Sequence, residues 1–342
     1  MQAPTARLSA TLMTSSALLL ALGTPLAATA GDSFSFRANT VGDTTSIAYQ
    51  GLERFAEIVE RESDGGIQFS LHHSGALGDQ VDGMESLMAG TLDIATVETP
   101  IDQADPVLGA TALPYLFRDR DHIAQVVDGG FVEWADERIV DEGLRVIGVL
   151  ESGFRHITNT VRPIVTPADL EGLTLRTPES RLRIRTFQQY GADASPLPFE
   201  ELYTALQTGA FDGQENPIIW VESENFYEVQ DYVSLTGHVY TMTYILMSDE
   251  SYQQLNDEQR ALLRDAGVQA HAHSVDLGTA ADNELVEVLE GHGMQVNEAD
   301  VDSFVEASAP IWDAWIEEDL RGPDQDAARE LIDMIVELGE EG

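Results

Sequence analysis

Apolar and polar positions along this chain switch repeatedly between a period of two and a period near 3.6. Ser33-Phe34-Ser35-Phe36-Arg37-Ala38 alternates and predicts a strand. Over residues 45–62, Leu52, Phe55, Ala56 and Val59 fall at helical spacing, and Gly65-Gly66 stops that helix. Residues 67–71 predict a second strand, 81–89 a helix and 92–97 a third strand. A helix over 121–140 and a buried-type strand over 145–150 complete a first unit. Strands alternating with helices predict an α/β fold with a mostly parallel sheet.

A second unit starts near Ser152. Residues 155–160 and 173–176 read as strands, with Thr166-Pro167-Ala168-Asp169 as a turn or cap between them. Helices are expected over 180–190 and 199–208. The apolar run 239–247 predicts a long strand that could return toward the first unit. Residues 257–290 keep a helical pattern long enough to span both units, and 327–338 predict a further amphipathic helix. No internal repeat and no Gly, Ser or Pro-rich linker separates the units. Two α/β lobes joined by several crossings are therefore expected, with a cleft between them suited to a small molecule.

Charge narrows the partners. The 342 residues carry 60 acidic and 18 basic side chains, a formal net charge of -42. Every basic residue is arginine and lysine is absent. Such a polyanion is repelled by phosphate backbones, which excludes nucleic acid as the expected partner. The acids are scattered, as on a solvated surface adapted to high salt. An anionic ligand would then need its own local positive charge.

The N-terminus reads as an export signal. Arg7, the apolar 17–22 segment and Ala28-Thr29-Ala30 match the three regions of a signal peptide, so residues 1–30 are expected to be removed and the protein to be periplasmic. The apolar run is too short to span a membrane. With no cysteine there is no disulfide scaffold, no thiolate chemistry and no lipid-anchor cysteine.

Arg155 and Arg176 lie in strand-like segments, and Asn216 ends the turn-rich run Asp212-Gly213-Gln214-Glu215-Asn216-Pro217. Arginine forks and an amide, with no nucleophile or base beside them, suit holding a small carboxylate unchanged. Each has a plainer reading: an ion pair with one of many acids, or a turn amide. Arg181, Arg183 and Arg185 cannot share one helical face, so part of that run is surface. His72-His73 and His271-Ala272-His273 have the wrong spacing for a shared metal. No metal, cofactor or enzyme motif is recognised, and no enzymatic activity is expected.

The chain resembles the substrate-binding proteins of tripartite ATP-independent periplasmic (TRAP) transporters. Gly75-Ala76-Leu77-Gly78-Asp79, Leu175-Arg176-Thr177-Pro178, Glu201-Leu202-Tyr203-Thr204-Ala205-Leu206-Gln207-Thr208-Gly209 and the 212–217 run carry the resemblance, in order, over nearly the whole mature chain. It implies a two-lobed periplasmic solute-binding fold of α/β class, with the ligand cleft between lobes and a long helix spanning both. Lobe I would comprise residues 31–152 with a return segment about 240–280, and lobe II 153–239 with C-terminal helices about 281–342. By the same resemblance Arg176 would grip the ligand carboxylate, Asn216 and Arg155 would assist, and Phe199 would be an aromatic wall. Asn39, Glu98 and Gln80 would reach ligand hydroxyls from the other lobe. The resemblance has lysine where Thr174 stands here, a departure in surface charge.

The expected function is capture of a small organic acid and its delivery to TRAP permease subunits, by a monomer without cofactor. A sugar acid such as a uronate or aldonate leads. A C4-dicarboxylate or a keto or hydroxy acid follows, since two arginines could take one carboxylate each. A sensor subunit, an exported lyase or hydrolase and a zwitterionic solute remain alternatives.

Overall fold

The longest extended run in the chain is a single strand where the sequence suggests two. The computed structural model describes residues 33–340; the expected signal peptide lies outside those residues. The strands are β1 (Phe34–Asn39), β2 (Ile67–His72), β3 (Ile94–Val97), β4 (Leu144–Asn159), β5 (Thr174–Thr177), β6 (Asp193–Pro196), β7 (Gly213–Pro217), β8 (Tyr232–Leu235), β9 (Tyr240–Ser248) and β10 (Gln295–Glu298). The α-helices are α1 (Ile47–Glu62), α2 (Gln80–Met88), α3 (Arg120–Val126), α4 (Val132–Ile139), α5 (Arg181–Gln189), α6 (Leu202–Gln207), α7 (Ile218–Ser223), α8 (Asp249–Gln253), α9 (Asp257–Gly291), α10 (Val301–Ala314) and α11 (Pro323–Glu340).

β4 is continuous across the Glu151-Ser152-Gly153 segment where a unit boundary was expected. Its register slips between Val146 and Gly148 and again between Glu151 and Gly153. Gly153 takes φ 114°, a conformation that a residue with a Cβ rarely adopts, so the second bulge sits on a glycine. Up to Phe154 the strand pairs with β9; from Arg155 it pairs with β7. One strand thus serves both lobes.

The sheet runs β2-β1-β3-β9-β4-β7-β5-β6, with β8 also on β4 and β10 on β8. Pairings within each lobe's outer part are parallel, but β9 is antiparallel to β3 and β4, and β4 to β7 and β8. The expectation of a mostly parallel sheet is corrected to a mixed one. The reason is topological: β4 and β9 carry the chain between lobes in opposite directions, and they lie side by side.

The expected long helix is α9. Asn256 caps it and Gln259 bonds back to the Asn256 backbone, a reciprocal cap. Its inner face is built from small residues, including Gly267, Ala270, Ser274 and Gly278. A Cβ on Gly267 would lie 2.5 Å from the Ile147 carbonyl oxygen, so the helix rests directly on the β4 backbone. Leu263, Ala266 and Ala270 pack with Leu52, Phe55, Ile147 and Met247 in one lobe. At its far end Leu289 packs with Leu202, Val221, Phe226 and Val233 in the other. The helix therefore spans both.

The helix expected over 121–140 is broken into α3 and α4 by a wide turn at Val127–Phe131, where Gly130 has φ 96°. β6, β8, β10 and α10 lack a clear sequence signal. α10 packs against α5, whereas α11 packs against α3. No helix among the described residues is long and apolar enough to cross a membrane.

Candidate ligand-binding site

A cleft opens at the junction of the lobes, beyond the carboxyl ends of β3 and β5, where open α/β sheets tend to place ligands. Asp79, Gln80, Glu98, Thr99 and Pro100 line it from the first lobe. From the second come Arg155, Arg176, Pro178, Glu179, Pro198, Phe199, Glu200 and Asn216. The free space is only about 30 Å³, room for roughly one water, so the lobes are closed together. Hydrogen bonds join the two sides beside the cleft: Ser180 Oγ donates to Asp102 Oδ2 at 2.5 Å, and Gln103 Nε2 to the Glu179 carbonyl at 3.0 Å.

Arg176 is the most exceptional group in the wall. β5 buries it, and its Nε and Nη2 both donate to the Leu197 carbonyl, at 2.9 and 2.6 Å. It forms no ion pair among the described residues. Burial, reinforced by the nearby Arg155 cation, pushes its pKa down to about 9, with Glu215, Glu179 and Glu200 pulling the other way. It stays charged at neutral pH, and a buried cation without a carboxylate is electrostatically incomplete.

Arg155 stands in contrast. Its Nε donates to Glu215 Oε2 at 2.5 Å, its Nη2 to Glu215 and to Asn216 Oδ1 at 2.9 Å, and its Nη1 to Thr241. Arg183 reaches the same Glu215 oxygen from α5 at 3.2 Å, and His238 Nε2 lies 3.0 Å from it. Burial alone would raise the Glu215 pKa, but Arg155 and Arg183 outweigh it and hold the carboxylate well below its usual range. Burial lowers the His238 pKa to about 4 against the pull of Glu215, so the ring is neutral at pH 7 and donates through Nε2. The network under the cleft floor is a clamp for Asn216.

The remaining sequence candidates divide. Gln80, Glu98, Phe199 and Asn216 line the cleft. Gln80 Oε1 accepts from the Glu98 backbone N–H at 2.6 Å, and Glu98 Oε1 accepts from Thr243 at 3.0 Å. Burial raises the Glu98 pKa, with Arg155 opposing. Phe199 meets Trp220 edge-on at 4.9 Å. Asn39 is not among the cleft-lining residues: its Nδ2 donates to Gly78 O and its Oδ1 accepts from Leu77 N, so it braces the turn leading to Gln80.

Glu215, Arg183 and His238 were not found by sequence reasoning. Glu215 sits in the 212–217 run, which reads as a turn yet forms the fully buried strand β7. Arg183 is the inward member of a three-arginine run; Arg181 is exposed and Arg185 pairs with Glu318 and Asp319. A larger cavity of about 550 Å³ lies alongside, between Asp102, Leu182, Ile184, Trp315 and Leu320. Its lining is mainly apolar and its one cation, Arg181, is exposed, so it offers no comparable anion site.

The fold is shared with known proteins. Residues 38–319 match the family described as bacterial extracellular solute-binding protein, family 7. A TRAP periplasmic solute-binding protein from Bordetella, whose crystal structure has density assigned to pantoate, is 33% identical with a TM-score of 0.82, covering 87% of this chain and 99% of that one. The sugar-acid-binding protein of Advenella mimigardefordensis, solved with galactonate, is 29% identical with a TM-score of 0.83, covering 90% and 99%. The sialic acid-binding periplasmic protein SiaP of Vibrio cholerae is 31% identical over 276 residues, 78% of this chain and 84% of that one.

Proposed function

The chain belongs to the bacterial extracellular solute-binding proteins of family 7, of the TRAP type, and we propose that it captures a sugar acid and delivers it to a membrane permease. It is a binding protein of transport rather than an enzyme. The observation that carries the ligand reading is Arg176: a buried guanidinium in the cleft wall, with no acidic partner among the described residues.

In this reading the ligand carboxylate takes the guanidinium edge that Leu197 leaves free, and Asn216 contributes an amide N–H. A fork matched to a planar carboxylate makes two parallel charged bonds, each contributing about 1.5–3 kcal/mol. Gln80 and Glu98 face the hydroxyls from the opposite lobe, and Phe199 packs on the ligand's carbon face. With so little free space in the closed cleft, the ligand enters when the lobes part and is sealed in when they close. Closure removes solvent, which strengthens the ion pair and shields it from salt.

In this reading lobe I, residues 31–152 with the return segment about 240–280, moves against lobe II, residues 153–239 with the C-terminal helices about 281–342, and β4 and β9 flex between them. Export by removal of residues 1–30 would place the mature protein in the periplasm, where TRAP solute-binding proteins act. Pantoate, galactonate and sialic acid, the ligands of the similar proteins, each join one carboxylate to a hydroxylated body. This favours a sugar acid over a dicarboxylate.

A thermal-shift screen of the mature protein at high salt, against aldonates, uronates and C4-dicarboxylates, tests the proposal. A sugar acid should raise the melting temperature, and Arg176→Ala should abolish the shift. A shift indifferent to Arg176 would refute the assigned clamp.

A further inference from the structure

The cleft wall is more acidic than an anion site requires. Asp79, Glu98, Glu179 and Glu200 all line it, against Arg155 and Arg176. Arg155 is neutralised in place by Glu215 and has its donors engaged by Glu215, Asn216 and Thr241. That leaves one guanidinium free to meet an anion, facing four carboxylates. The acids sense one another: burial first and then Asp79 raise the pKa of Glu179, while burial and then Asp79 and Glu179 raise that of Glu200. Arg176 pulls both back, so rim and clamp lie within one electrostatic neighbourhood.

We infer that Asp79, Glu98, Glu179 and Glu200 restrict the ligand to acids bearing a single carboxylate and a hydrogen-bond-donating tail, and reject diacids of the same length. The inference rests on the reading of Arg176 as the carboxylate clamp. A molecule anchored at Arg176 extends toward the first lobe or the rim, and either way its far end meets a carboxylate. Hydroxyls there donate charged hydrogen bonds. A second carboxylate donates none, and it brings like charge beside these acids, with the weakest solvent screening at the buried Glu98. A site built to receive donors discriminates steeply against a tail that has none. Two arginines in one cleft suggest a diacid site, but the Arg155–Glu215 pair removes one of them.

D-galactonate and galactarate differ only in a terminal hydroxymethyl replaced by a carboxylate. Calorimetric titration of the mature protein with each, at moderate salt, reads the discrimination directly. Galactonate should bind at least tenfold more tightly. Glu179→Gln and Glu200→Gln, isosteric changes at the cleft mouth, should each lower that ratio, and the double variant by at least threefold. Equal binding of the two acids, or a ratio that the double variant leaves unmoved, overturns the inference while leaving the clamp intact. Failure of galactonate, erythronate and pantoate alike to bind would instead remove the clamp reading, and this inference with it.

Discussion

Arg155 and Glu215 form a buried ion pair, Nε to Oε2 at 2.5 Å, between neighbouring strands β4 and β7. Glu215 also answers Arg183 and receives a hydrogen bond from His238. Removing its charge leaves two buried guanidiniums without a counter-ion. Glu215→Gln should therefore cost about 3–5 kcal/mol, the range for breaking a buried pair from one side. Thermal melts should show a drop of roughly 10 °C. A variant that melts normally would mean the network does not hold the lobe together.

The two cleft arginines should separate in kind. Arg176→Lys keeps the charge but loses the fork, so sugar-acid affinity should fall at least tenfold, about 1.4 kcal/mol. Arg155→Met should act first on stability, because it strands part of the Glu215 network. Calorimetry and melts on both variants check the contrast. Equal effects on affinity and none on stability would return Arg155 to a direct ligand role.

Close approach of α9 to β4 makes Gly267 irreplaceable. A methyl there meets the Ile147 carbonyl and the Gly148 backbone, neither of which can swing aside. Gly267→Ala should destabilise by about 1–3 kcal/mol despite alanine's better helix propensity. Gly291→Ala, at the same helix's end with nothing within 4 Å, serves as the control and should be neutral or slightly stabilising. Equal melting temperatures for the two variants would contradict the contact.

Glu224 sits at the end of α7, where burial first, then Asp43 and Glu200, raise its pKa to about 7 from an ordinary 4.5. Its folded value lies above its unfolded one, so the native state favours the protonated acid. The stability this confers is full below pH 4.5 and lost as pH rises through 7. Glu224→Gln should accordingly stabilise above pH 7, by about 1 kcal/mol once solvent screening is allowed for, and have no effect below pH 4.5. Denaturant midpoints at the two pH extremes read this, and a gain independent of pH would exclude the charge as its cause.

Local pattern was enough to place β1, α1, β2, α2, β3 and the long α9, because alternation and helical spacing record which face of an element is buried. It also marked the residues that could meet an anion in a chain of net charge -42. It failed where burial is achieved by pairing rather than by apolar character. β7 is polar in sequence, Gly213-Gln214-Glu215-Asn216-Pro217, yet wholly buried, because Arg155, Arg183 and His238 arrive from distant segments to satisfy Glu215. Asn39 shows the same dependence on distant residues: an amide beside a strand end can face a ligand or a turn, and here it bonds the Leu77 and Gly78 backbone. Residue types set what each arginine can bind. Which of them already has its carboxylate depends on long-range packing, and only the tertiary structure shows that Arg155 has one while Arg176 has none among the described residues.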